Sequence, residues 1–149
     1  MHTVNILLVE DDRIDAKAFT RSLEKLKVSN PVTIARDGVE ALEILKGKDG
    51  SIPFPRPNLI IMDINMPRMN GIELLQRIRA DSELRDLIVF ILTTSNDEQD
   101  RIEAYNLNVA GYMLKTDLGS GFVKAVELVE NYWRVVEFPL APARAAGTA

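Results

Sequence analysis

Leu59-Ile60-Ile61-Met62-Asp63-Ile64-Asn65-Met66-Pro67-Arg68-Met69-Asn70-Gly71 passes from an apolar run to an acid, through a turn, and into a helix start. The run before Asp63 is too short for a helix and apolar without interruption, as expected of a strand buried on both faces. Asn70 with Glu73 has the spacing of a capping box, which opens a helix. Strand, acid, turn and helix in this order describe one β-α unit with a carboxylate at its carboxyl end.

The same unit recurs on either side. Apolar runs rich in β-branched residues lie at Val4 to Val9, Val32 to Ala35, Ile88 to Leu92 and Ala110 to Leu114. Between them lie helical patterns. Ala16, Phe19, Leu23 and Leu26 follow a spacing of three and four; Asp37 with Glu40 opens a second helix, and Ser95 with Glu98 is the expected start of a fourth. The fifth is expected from about Leu118 to about Val136. Repeated β-α alternation predicts an α/β fold: a doubly wound parallel sheet of five strands with helices on both faces. The fourth helix has the poorest apolar stripe, chiefly Ile102 and Tyr105, so it should pack loosely and be able to shift.

Composition agrees with one core. The chain has 149 residues, 46% hydrophobic and 27% charged, which fits one ordinary globular domain. We expect residues 1–136 to form that domain and 137–149 (FPLAPARAAGTA at its end) a partly disordered extension, with no room for a DNA-binding output module. A net charge of −4 argues against nucleic acid as a partner, because binding phosphate backbones needs a basic face. The absence of cysteine removes disulfides and thiolate chemistry. The first apolar run stops at acids and lacks the length of a signal or membrane helix, so a cytoplasmic location without membrane contact is expected. Lys46 to Pro57 reads as a Gly- and Pro-containing loop. The sole histidine, His2, stands at the chain start, away from every motif.

In open parallel sheets, ligands bind beyond the carboxyl ends of the strands. The residues delivered there are Glu10, Asp11 and Asp12 after the first strand, Asp63 after the third, Thr93 and Thr94 after the fourth, and Lys115 after the fifth. Clustered carboxylates repel, and a bound cation relieves the repulsion. All-oxygen ligands suit a hard ion such as Mg²⁺. Beside it, Asp63 can act as a nucleophile forming an acyl phosphate, Lys115 can pair with the phosphoryl oxygens, and Thr93 can donate a hydrogen bond to one of them. Taken singly, each residue has a plainer role: Asp12 caps a helix, Asp63 precedes a turn, and Lys115 is a solvated lysine. Their conjunction at one end of one sheet is what carries the chemistry.

These residues resemble the receiver domains of two-component response regulators, over Val4 to about Val136. Ile6-Leu7-Leu8-Val9-Glu10-Asp11-Asp12 is similar to the family's first-strand motif, and the Leu59–Gly71 stretch to its phosphoacceptor motif. The resemblance implies the CheY-like, flavodoxin-type strand order 2-1-3-4-5. It makes Glu10 and Asp11 metal-site acids, joined by Asp63 and the backbone carbonyl of Asn65. It implies Thr93 and Tyr112 (in Gly111-Tyr112-Met113-Leu114-Lys115) as switch residues and Lys115 as the site lysine. The implied function is a stand-alone response regulator, a phosphoacceptor and switch rather than an enzyme. A histidine kinase or phosphotransfer protein would supply its phosphoryl group. One departure is Thr116, where the family usually has proline after the lysine, often with a cis bond. A cis bond before a non-proline residue would cost roughly 2.5–4 kcal/mol. A narrower likeness, carried by the Pro-containing loop, the Leu-Thr-Thr-Ser run and the Tyr132-Trp133 helix end, is to single-domain regulators that partner bacterial phytochromes.

Helix five presents two stripes, Phe122, Val126, Val129 and Trp133 beside Ala125, Leu128, Tyr132 and Val135. One suffices to cover a sheet. The surplus fits either a homodimer through helix 4, strand 5, helix 5 and the extension, or a cover formed by Phe138, Pro139 and Leu140. Two rival functions read less well. A haloacid-dehalogenase-type phosphatase needs a second acid two residues after the nucleophile, where this chain has Asn65. A flavodoxin-type cofactor binder needs a phosphate-cradling loop after the first strand, where Glu10-Asp11-Asp12 would repel an anion.

Overall fold

Strand residues that alternate between two apolar faces need cover on both, and the chain supplies it by laying its first and last helices on one face and the middle three on the other. The computed structural model describes residues 3–48, 51–118 and 121–142. Its strands are β1 (Asn5–Val9), β2 (Val32–Ala35), β3 (Asn58–Met62), β4 (Ile88–Thr93) and β5 (Gly111–Leu114). They alternate with α1 (Arg13–Lys25), α2 (Gly38–Lys46), α3 (Gly71–Ala80), α4 (Glu98–Asn106) and α5 (Val123–Val135). All strand pairs are parallel, in the order β2-β1-β3-β4-β5, as expected.

The pleat divides the core into two layers. Leu7, Val9, Ile60, Met62, Val89 and Ile91 face α2, α3 and Ala104 of α4. Ile6, Leu8, Leu59, Ile61, Phe90 and Leu92 face α1 and α5. Every residue of β3 is buried, which accounts for the unbroken apolar run Leu59–Met62 within it.

Local chemistry sets the helix starts. Asp12 accepts from the N–H groups of Ile14 and Asp15, Asp37 from Glu40, and Asn70 from Glu73. The fourth start differs from expectation: Asp97, not Ser95, caps α4 by accepting from Gln99 N–H. Ser95 is engaged elsewhere, its hydroxyl donating to Asp100 at 2.7 Å. The fifth start also differs. Lys115–Asp117 form a 3-10 turn, and α5 begins at Val123 rather than near Leu118. Phe122 provides no side-chain cap there; instead its N–H donates to Ser22 Oγ of α1 at 3.2 Å. The peptide before Thr116 is not cis: the cis peptide among the described residues is Arg56–Pro57, and Thr116 lies within the 3-10 turn.

Helix α4 is thinly packed, as expected. Ala104 is its buried residue, while Ile102 and Tyr105 are exposed. Its carboxyl end is firmly tied, however. Arg79 of α3 donates to the carbonyls of Leu107, Asn108, Arg85 and Leu87 at 2.6–3.0 Å.

The two-stripe reading of α5 needs revision. Phe122, Ala125, Val126 and Val129 are buried together, drawing on both stripes, with Tyr132 and Trp133 packed beside them. Tyr132 stacks edge-on between Phe90 and Phe138, at 5.1 and 6.1 Å between ring centroids. The surplus shrinks to Leu128 and Val135, which stay exposed. The extension thus folds back as far as the structure describes it, and Arg56 fixes it further by donating to the Ala141 carbonyl while pairing with Asp86. The disorder expected at the end of the tail, and His2, lie outside the described residues.

Candidate functional site

Strand register brings the chemistry to one edge. Val9 pairs with Met62, Met62 with Ile91, and Thr93 with Leu114. The residues that follow, Glu10, Asp63 and Lys115, therefore leave the sheet on the same side as Thr93. Backbone bonds extend the ladder one step further: Glu10 N–H donates to Ala35 and Asp63 N–H to Val9, at 2.8 and 3.0 Å. Behind Asp63 the loop closes tightly. Gly71 N–H donates to the Ile64 carbonyl at 2.8 Å, and a Cβ on Gly71 would lie 2.2 Å from the Asp63 carbonyl oxygen. Glycine here serves close approach, not an unusual backbone angle.

Glu10, Asp11 and Asp63 bring carboxylate oxygens within 4.8 Å of one another. Glu10 and Asp63 are buried; Asp11 is exposed and leaves the cluster open to solvent. Lys115, also buried, reaches in from the end of β5. Its Nζ donates to Glu10 Oε1 at 2.6 Å, Asp15 Oδ2 at 2.7 Å and Asp63 Oδ2 at 3.1 Å. The other Asp63 oxygen accepts from Ile64 N–H at 2.7 Å. Asp15 is the member that sequence reasoning missed. Its one signal was its place in the first turn of α1, three residues after the Asp12 cap.

The electrostatics follow from burial. Desolvation, opposed by the Lys115 hydrogen bond and reinforced by the Asp63 charge, pushes the Glu10 carboxyl up to about 7. For Lys115 burial disfavours the charged form. Hydrogen bonds to Asp15 and Glu10 and the Asp63 charge outweigh it, so the ammonium is held above its ordinary value and stays protonated. One lysine facing three carboxylates leaves net negative charge, and the donors are all oxygen. That combination fits a hard divalent cation.

Thr93 is fully buried, and its hydroxyl accepts from Ser95 N–H at 3.2 Å. Tyr112, half-buried on β5, donates to the Ser95 carbonyl at 2.9 Å and lies under the Arg101 guanidinium, 5.5 Å from the ring centre. Burial raises its phenol above the ordinary value. Both expected switch residues thus converge on Ser95. Asn65 is exposed on the loop after Asp63. At the rim, Arg68 pairs with Asp37 at 2.7 Å, and that guanidinium holds the Asp37 carboxyl below the ordinary range.

The family model for the response regulator receiver domain matches residues 6–127. The chain belongs to the response-regulator receiver family. Response regulator Rcp1 of a Synechocystis species is 35% identical to this receiver over 137 residues, spanning 91% of this chain and 93% of Rcp1. The crystal structure of the phosphorylated cyanobacterial phytochrome response regulator RcpA superposes with a TM-score of 0.83 at 32% identity, over 93% of this chain and 99% of RcpA. The Mn²⁺-bound form of Rcp1 gives a TM-score of 0.75 at 36% identity, over 91% of this chain and 99% of that one. The receiver fold, the strand order and the membership of a response-regulator family expected from the sequence all hold. Among the described residues no helix is long and apolar enough to cross a membrane.

Proposed function

We propose that this receiver accepts a phosphoryl group on Asp63 from a phosphohistidine of a histidine kinase or phosphotransfer protein. The observation that carries this is the meeting of Glu10, Asp11, Asp63 and Lys115 in one hollow. An Asp63 carboxylate oxygen forms the new P–O bond while the P–N bond breaks and its electron pair returns to the imidazole nitrogen. Glu10, Asp11, Asp63 and the Asn65 backbone carbonyl would hold Mg²⁺, which when bound neutralises charge on the entering phosphoryl group. Lys115 supplies the second positive charge. Thr93, released from Ser95, donates its hydroxyl to a phosphoryl oxygen.

That release is the switch. Thr93 and Tyr112 share Ser95 as a partner, so moving Thr93 disturbs the Tyr112 bond and with it the start of α4. The α4-β5-α5 face is the surface that changes. The protein works as a cytoplasmic phosphoacceptor, without turning over a small substrate. Likeness to RcpA, a cyanobacterial phytochrome response regulator, supports a phytochrome histidine kinase as the donor. The exposed Leu128 and Val135, beside an extension fixed by Phe138 and Arg56, support a homodimer through α4, β5, α5 and that extension.

The test is incubation with acetyl phosphate and Mg²⁺ followed by intact mass. One phosphoryl group is expected on the wild-type chain, none on Asp63→Asn, and none in excess EDTA. A wild-type chain that stays unmodified overturns the reading, as does multiple turnover on a phosphate ester. Light scattering over a concentration series tests the dimer, and a monomer throughout would refute it.

A further inference from the structure

We infer that Asp15 is a positioning residue for phosphoryl transfer, holding the Lys115 ammonium against the reacting carboxylate when its other two partners are drawn away. The inference rests on the function proposed above and names a part of that site which the motif residues do not include.

The three donors of the Lys115 ammonium meet three acceptors: Glu10, Asp15 and Asp63. Two of these belong to the acidic cluster that fits a cation, and Asp15 does not. Loading the site therefore changes the surroundings of Lys115 unequally. The Glu10 carboxylate would turn to the cation. Asp63, once it carries the phosphoryl group, becomes an acyl phosphate with its charge moved outward onto the phosphoryl oxygens. Asp15 is left as the anionic partner common to both states. A lysine ammonium sits on a flexible four-carbon stem with rotatable donors, so a single fixed partner decides where it points.

Asp15 is well placed for this. It lies in the first turn of α1, and its backbone N–H is tied to Asp12 Oδ1 at 3.1 Å, which fixes the helix start. Its side chain is about one-quarter exposed, at 28%, so its charge is hydrated from one side and does not depend on the cation. Asp15 also makes Lys115 a bridge between α1 and the end of β5, across which Glu10 and Asp63 lie. Without it the ammonium can follow Glu10 or turn to water, and fewer encounters find it aligned with the phosphoryl oxygens.

The experiment compares the full-length wild type with Asp15→Asn and Asp15→Ala. Phosphorylation time courses are followed by intact mass over a range of acetyl phosphate concentrations with Mg²⁺. The Ala variant should lower the maximal rate by about tenfold to a hundredfold, since an ångström of misplacement of reacting groups costs up to about a hundredfold. The Asn variant, which keeps an oxygen acceptor without the charge, should lie between. Half-saturating acetyl phosphate should change by less than about twofold, because orientation and not donor binding is lost. The ¹⁵N signal of the Lys115 ammonium, sharp in the wild type, should broaden in both variants. If Ala does not fold, Asn decides. Wild-type maximal rates in the folded variants, or a change confined to half-saturation, overturn the inference while leaving Asp63 as acceptor. A wild-type chain that is not phosphorylated, or an Asp63→Asn chain that still is, overturns both.

Discussion

Tyr112 and Ser95 are joined by a hydrogen bond from the phenol to the Ser95 carbonyl at 2.9 Å, and the Ser95 N–H in turn reaches Thr93 Oγ1 at 3.2 Å. One residue thereby links the end of β4, the ring on β5 and the approach to α4. The link is local and removable.

Tyr112→Phe deletes it while keeping the ring over which Arg101 lies. Loss of one hydrogen bond of about 1 kcal/mol should speed local opening about fivefold. Amide hydrogen exchange at residues 95–101 is the measurement. Unchanged exchange would show that α4 does not depend on this bond.

Lys115→Met removes the ammonium from three carboxylates, two of them buried. The uncompensated charge should destabilise the protein by about 3 kcal/mol in EDTA, less whatever protonation of Glu10 relieves. Urea titrations with EDTA and with Mg²⁺ should show the loss shrinking in Mg²⁺, since a cation replaces the missing charge. Phosphorylation should be lost in either case.

Acidity acts through Glu10. Folding raises its carboxyl from 4.5 to about 7, so in that window the folded state holds the proton more tightly than the unfolded chain. Its contribution to stability in EDTA therefore falls as pH rises from 4.5 to about 7 and levels off above. Glu10→Gln should flatten this slope in urea midpoints taken across the range. The same proton opposes cation binding, so Mg²⁺ affinity should weaken below pH 7 in the wild type and depend less on pH in the variant.

Gly71→Ala places a methyl group against the backbone of Asp63 and Ile64, at 2.2 and 2.8 Å. Rigid backbone cannot yield as a side chain would. The expected costs are about 2–3 kcal/mol by urea midpoint, together with slower phosphorylation as Asp63 is displaced. A variant as stable and as fast as wild type would mean that the loop relaxes freely.

Much of this was legible in the sequence because it depends on short-range pattern. The β-α alternation follows from apolar runs such as Leu59–Met62, and the starts of α2 and α3 follow from Asp37 and Asn70, whose caps involve residues three positions on. The acids and the lysine could be placed at one edge because parallel strands all end there. What escaped depends on contacts between distant residues. Ser95 looks like a cap, but its hydroxyl and N–H are taken by Asp100 and Thr93. The start of α5 is set by Ser22, one hundred residues earlier in the chain. Asp15 reads as one more acid in a helix turn, and its bond to Lys115 spans the same separation. The second stripe of α5 left two readings open, because nothing in the helix itself decides between a second copy and a cover from the extension; the contact of Tyr132 with Phe138 shows the extension covering part of it.

The grip of Arg79 on the last carbonyls beyond α4 makes that helix a lever with one end hinged. Its nine residues span about 13 Å, so a tilt of about 10° around the hinge would swing the Glu98 end by about 2 Å while leaving Asn108 in place. Displacement would then grow steadily with distance from the guanidinium. A partner seated near Asn96 would feel the full stroke, and one seated near Asn106 almost none.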